Sequence, residues 1–100
     1  ASPYAPFVGC NLEARAAKEA GNIAFTAGRF QEAYEHFTEA IHQDAGSALL
    51  RSNRAGALAS MGRHEEALVD AELCCSLQPD WWKGHTRRGH ALFHLQRFAE

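Results

Sequence analysis

No run in these 100 residues approaches the roughly 18 consecutive apolar residues of a membrane span. Acidic residues are missing from the stretch WWKGHTRRGH (81–90), although the whole chain is slightly acidic at −2. Its opening, ASPYAPFVGC, has two prolines and no basic segment, so it reads as a flexible tail (1–10) rather than a secretion signal. Cysteines are too few and badly spaced for a disulfide framework. There are three, and Cys74 and Cys75, being adjacent, point about 100° apart on a helix and are poorly placed to bridge each other. Reduced, packed thiols and a cytoplasmic location are the expectation. Nor is there a phosphate-binding loop or a Ser-His-Asp or Cys-His frame. His90 and His94 stand four apart with His85 near them, but neither an HExxH frame nor a neighbouring cysteine completes a metal set. No metal, cofactor or catalytic residue is expected. With 46% apolar and 22% charged residues, the chain has the composition of one small globular domain.

What the sequence does contain is a period. GRFQEA (28–33) returns as GRHEEA (62–67) and again as QRFAE (96–100), each 34 residues on. Small residues keep the same step: Gly21, Ala55 and Gly89; Ala33 and Ala67; Ala40 and Cys74. Apolar side chains at 30, 33, 34, 37, 40 and 41 follow the three-and-four spacing of an amphipathic helix, and 64–77 repeats the stripe. Helices are therefore predicted over 12–26, 30–43, 48–60, 64–77 and 81–95. Asn11, Ser47 and Asp80 stand as N-caps, and Gly28 and Gly62 as left-handed exits. Phe37 or Tyr34 should fill the space that the small residues leave between paired helices.

A helix pair of this kind cannot bury its apolar face alone, so pairs stack into a solenoid. Period and pattern resemble the tetratricopeptide repeat (TPR) family, with repeats at about 14–47 and 48–81 and a partial third at 82–100, together spanning a domain over 11–100. The resemblance implies an all-α solenoid whose first helices line a concave groove. The chain stops within the third repeat. This leaves Leu92, Phe93, Leu95 and Phe98 partly uncovered and makes self-association through that end an expectation.

Charge divides by helix type. The first-helix segments carry Arg15, Lys18, Arg51, Arg54, Lys83, Arg87 and Arg88 against Glu13 and Glu19, whereas the second-helix segments carry eight acidic residues and no Lys or Arg. A basic groove and an acidic back follow if the family's geometry holds. A polyanion fits poorly with such a back. No nucleic-acid partner and no membrane is expected.

KEAGN (18–22), SNRAGAL (52–58) and WKGHTRRG (82–89) look like the dicarboxylate-clamp TPR domains of chaperone adaptors. The resemblance implies that Lys18, Asn22, Asn53, Lys83 and Arg87 grip both carboxylates of a partner's C-terminal aspartate. The implied partners are the EEVD tails of the seventy- or ninety-kilodalton heat-shock chaperones. Lys18 and Asn22, like Lys83 and Arg87, are four apart and share a helix face, and Asn53 occupies the repeat position of Arg87. Phe25 and His90 are candidate secondary contacts to the peptide. Ser60 departs from the family, which often places another basic residue there. The rival readings are a generic scaffold for an internal peptide segment, or a targeting domain of a larger enzyme. Arg54 and Arg88 read as residues that snorkel beside the clamp, and the tryptophans as anchors of the last helix.

Overall fold

The computed structural model describes the backbone of residues 5–96 and the side chains from Leu12 onward. It contains five helices: α1 (Ala5–Thr26), α2 (Phe30–Gln43), α3 (Ala48–Ser60), α4 (His64–Leu77) and α5 (Trp82–His94). Connections of a few residues force consecutive helices to pack as antiparallel neighbours. Each helix touches the next, and α3 also touches α5. Ala17 of α1 packs on a cluster of Ala40, Ile41 and Leu50, and Ala24 of α1 shares a cluster with Ala57 of α3. The odd-numbered helices thus form one layer, and α2 and α4 form the other.

The punctuation of the repeat is local chemistry. At the end of α1 the Gly28 amide donates to the Phe25 carbonyl and the Arg29 amide to the Ala24 carbonyl, with Gly28 at φ +81°. Thirty-four residues later Gly62 and Arg63 repeat both bonds, onto Ala59 and Leu58, with Gly62 at φ +78°. Both are Schellman endings, which need a left-handed residue that glycine supplies without a Cβ penalty. The third repeat reaches the same position with Gln96 at φ +59°. Ser47 caps α3, its hydroxyl accepting from the Leu50 amide at 3.2 Å.

Close approach between layers depends on small residues. A Cβ on Gly21 would lie 2.5 Å from the Phe37 ring, and one on Gly84 would lie 3.0 Å from Cys74 Sγ. Phe37, rather than half-buried Tyr34, is the fully buried filler of the first pair. In the second pair Leu58, Leu68 and Ala91 tie α3, α4 and α5 together.

Three expectations need correction. Helix α1 begins at Ala5, inside the segment read as a tail, so Asn11 lies within a helix and is not its cap. Pro6 is compatible with this because a first-turn amide has no helical acceptor to lose. Trp81, not Asp80, holds the cap position of α5, with no side-chain bond to the helix. Asp70, counted on an acidic back, is 2% exposed and lies inside the molecule. Phe98 lies outside the described residues. Of its apolar neighbours, Phe93 is 62% exposed, while Leu92 and Leu95 are half-buried. Among the described residues no helix is long and apolar enough to cross a membrane.

Candidate peptide-binding site

Helix α3 is the centre of the first layer, and it receives a cation from each side. Lys18 of α1 lines a hollow shared with Ser47, Leu49 and Leu50 at the start of α3. From α5, Arg87 lies across Gly56, where a Cβ would stand 2.9 Å from Nη2, and its Nε points at Ser52 Oγ from 3.5 Å. Asn53 follows Leu49 by four residues and precedes Gly56 by three, so it sits between these two contacts on one side of α3. Lys83 is one turn before Arg87 and half-buried, beside the Gly84 contact that draws α5 onto α4. Asn22, one turn after Lys18, is exposed and lines a shallow hollow with Glu19 and Ile23.

Arg87 carries the electrostatic signature. Among the described residues it pairs with no carboxylate. Burial holds its guanidinium below the usual arginine value, offset only in part by Cys74. A half-buried cation without a counter-charge is costly to maintain, and an anionic ligand would relieve that cost. Lys18 and Lys83 likewise have no carboxylate within ion-pair distance among the described residues.

Arg51 and Arg54 behave in the opposite way, which corrects the count of groove charge. Arg54 donates from Nε and Nη2 to both oxygens of Asp70, at 2.7 and 2.8 Å, and from Nη1 to Thr38 Oγ1 at 3.2 Å. Arg51 approaches the same carboxylate at 3.7 Å. The hydrogen bonds to Asp70 raise the Arg54 guanidinium further above its ordinary value, against the effect of burial. These two arginines knit α2, α3 and α4 together and share one negative charge there. Arg88 stands 3.9 Å from Glu72 in an exposed pair of little energetic weight.

The remaining candidates have partners within the fold. Phe25 meets Phe30 edge-on, with ring centroids 5.3 Å apart, and packs on the Ala24–Phe37 cluster. His90 Nε2 lies 3.2 Å from His94 Nε2. His85 donates from Nε2 to the Pro79 carbonyl at 2.7 Å, which turns Nδ1 toward Cys75 Sγ, 3.7 Å away, and fastens the start of α5 to the end of α4. Cys74 is fully buried, and burial pushes its thiol pKa up; Cys74 and Cys75 are both free. Trp82 is 66% exposed, while Trp81 is half-buried. Sequence reasoning missed Ser52 and Gly56. The available signal was Gly56 itself, which stands in the 34-residue frame between Asn22 and His90.

Comparison with known proteins agrees with this architecture. A tetratricopeptide repeat model matches residues 24–69. The Hsp70-Hsp90 organizing protein of wheat (Triticum aestivum) is 51% identical over 79 residues, which are 79% of this chain but 14% of that protein. The chain therefore spans a small part of the length of this curated relative. Among solved structures, the second TPR of Spaghetti (RPAP3) bound to the HSP90 peptide SRMEEVD has a TM-score of 0.84 at 33% identity, covering 87% of this chain and 81% of that one. The second TPR domain of human RPAP3 in complex with the HSP70 peptide SGPTIEEVD also has a TM-score of 0.84 at 33% identity, covering 88% and 73%. Period, paired-helix layers and these matches coincide, and the chain belongs to the tetratricopeptide repeat family.

Proposed function

We propose that this domain binds the C-terminal EEVD-type tail of a heat-shock chaperone, with Lys18, Asn22, Asn53, Lys83 and Arg87 holding the terminal aspartate. The observation that carries the reading is Arg87, half-buried against α3 with no carboxylate partner among the described residues. A C-terminal aspartate offers two carboxylates a few ångströms apart, a doubly charged group absent from the interior of any chain. Lysine and arginine supply charge-assisted donors. The two amides donate to a carboxylate while accepting from a peptide N–H. Relatives solved with EEVD peptides support the choice of ligand. The domain would act as an adaptor that brings a chaperone to another activity, in the cytoplasm, without chemistry of its own.

Calorimetry with a free-acid EEVD peptide and its C-terminal amide tests this. Each charge-assisted bond contributes about 1.5–3 kcal/mol, so amidation or Lys83→Ala should weaken binding tenfold or more. Equal affinity for acid and amide would assign the groove to an internal peptide segment. Absence of binding at tens of micromolar, on the order of −6 kcal/mol, would remove the clamp.

A further inference from the structure

Three imidazoles gather where α5 meets the start of α4. His64 of α4 stacks on His94 with centroids 4.3 Å apart and planes 2° from parallel. His90 and His94, one turn apart on α5, bring their Nε2 atoms to 3.2 Å. His64 Nδ1 is buried without a hydrogen-bond partner. The proposed clamp uses neither His64 nor His94, and on α5 Arg87 and Arg88 stand three and two residues before His90.

We infer that His90 and His94 form a chelating site for a late first-row divalent cation such as Zn²⁺ or Ni²⁺, with His64 stacked behind it as a positioning residue. The spacing carries the inference. Two imidazole nitrogens bound to zinc at about 2.0–2.1 Å in tetrahedral geometry stand about 3.3 Å apart, so the pair already has the bite of a chelate. Loading the site asks that the donating ring of the pair move its proton from Nε2 to Nδ1 and that the rings turn until both neutral lone pairs converge on the metal. Imidazole suits zinc, nickel and copper.

His64 fixes the plane of His94 from behind, as an outer-shell partner orients a ligand. Among the described residues no group of three His, Cys, Asp or Glu side chains is arranged to hold a metal. The site is therefore a two-nitrogen chelate whose other positions water fills, and repulsion from Arg87 keeps it modest in affinity.

Calorimetric titration of the metal-stripped protein with Ni²⁺, repeated with Zn²⁺, tests the assignment. One equivalent should bind. His90→Ala and His94→Ala should each weaken it tenfold or more by leaving a single donor, whereas His64→Ala should cost less and His85→Ala nothing. Circular dichroism of each variant separates loss of a ligand from loss of fold, and a helical His94→Ala that binds as wild type would overturn the site. So would no heat of binding up to millimolar Ni²⁺. Binding abolished by Cys75→Ser but kept by His94→Ala would move the metal to the Cys75–His85 pair and equally refute the inference.

Discussion

Gly56→Ala should stabilise the fold while weakening the proposed clamp, two effects that usually run together. Gly56 lies inside α3 with ordinary helical backbone, and alanine there gains about 0.5–1 kcal/mol of helix stability. The three atoms nearest the added Cβ all belong to the Arg87 guanidinium, at 2.9 Å for Nη2, 3.0 Å for Cζ and 3.2 Å for Nη1. All three atoms are the far end of a flexible side chain, so relief takes a shift of roughly half an ångström and costs little. Of the ~1 kcal/mol gained, most should survive, raising Tm by a few degrees, given about 4–8 °C per kcal/mol in a domain this small. The same shift takes Arg87 off its line to a carboxylate. Losing half of a charge-assisted bond worth about 1.5–3 kcal/mol weakens EEVD peptide binding roughly three- to tenfold, short of the loss in Arg87→Ala. Differential scanning calorimetry and peptide titration on one preparation measure both. A Tm lowered by several degrees would refute the mobility of Arg87. A raised Tm with unchanged affinity would refute its binding pose.

Gly21→Ala inverts the outcome, because its Cβ would strike the buried Phe37 ring at 2.5 Å and the ring has nowhere to go; a loss of about 1–3 kcal/mol or more, read by urea denaturation, is expected. Asp70→Ala strands two arginines beside α4 and should cost about 3 kcal/mol or more, with the peptide affinity of the folded fraction intact. Gln96→Gly removes a left-handed glutamine and should add up to roughly 1 kcal/mol, seen as a higher Tm. The depressed His90 pKa means the folded state favours the neutral ring, so stability is complete above about pH 6.5 and falls as pH drops through the lower folded value. Urea midpoints at pH 7.5 and 5.5, in chelator, should converge in His90→Gln relative to wild type; an unchanged difference would rule out His90 as the source.

What the sequence made legible was local or periodic. Gly28 and Gly62 announced helix exits because only a residue free of Cβ strain suits that backbone, and the limits of α2, α3 and α4 follow from such punctuation. Ser47 was readable as a cap because its hydroxyl needs only an amide three residues on. The start of α1 was not, since proline ends helices in most contexts but is harmless in a first turn. Asp80 had the right chemistry for a cap, yet the chain enters α5 through an extended Trp81. Interactions across helices were the least legible. Nothing in the sequence tells Arg54 to meet Asp70, or His64 to meet His94, because those pairings depend on helix rotation within the hairpins.

That rotation decides what the positive charge can do. Arg51 and Arg54 are turned from α3 toward the second layer, where they share the single negative charge of Asp70; Arg87 is turned along the first layer and meets a serine and a glycine. The first layer is left with Arg15, Lys18, Lys83 and Arg87 against Glu13 and Glu19, since Arg88 already faces Glu72. With the one charge that Asp70 leaves unmatched on Arg51 and Arg54, its excess is three positive charges rather than the five that sequence counting gives. A field so weak steers a ligand poorly, and beyond about 10 Å physiological salt screens most of it. If the proposed clamp holds the tail, selectivity must then arise at contact, from a half-buried Arg87 and its neighbours. On that basis the association rate should depend only weakly on salt. The dissociation rate should carry nearly all of the difference between an EEVD acid and its amide, which stopped-flow measurements at two ionic strengths would resolve. A steep fall of association rate with salt would mean that Arg51 or Arg54 is free of Asp70 in solution.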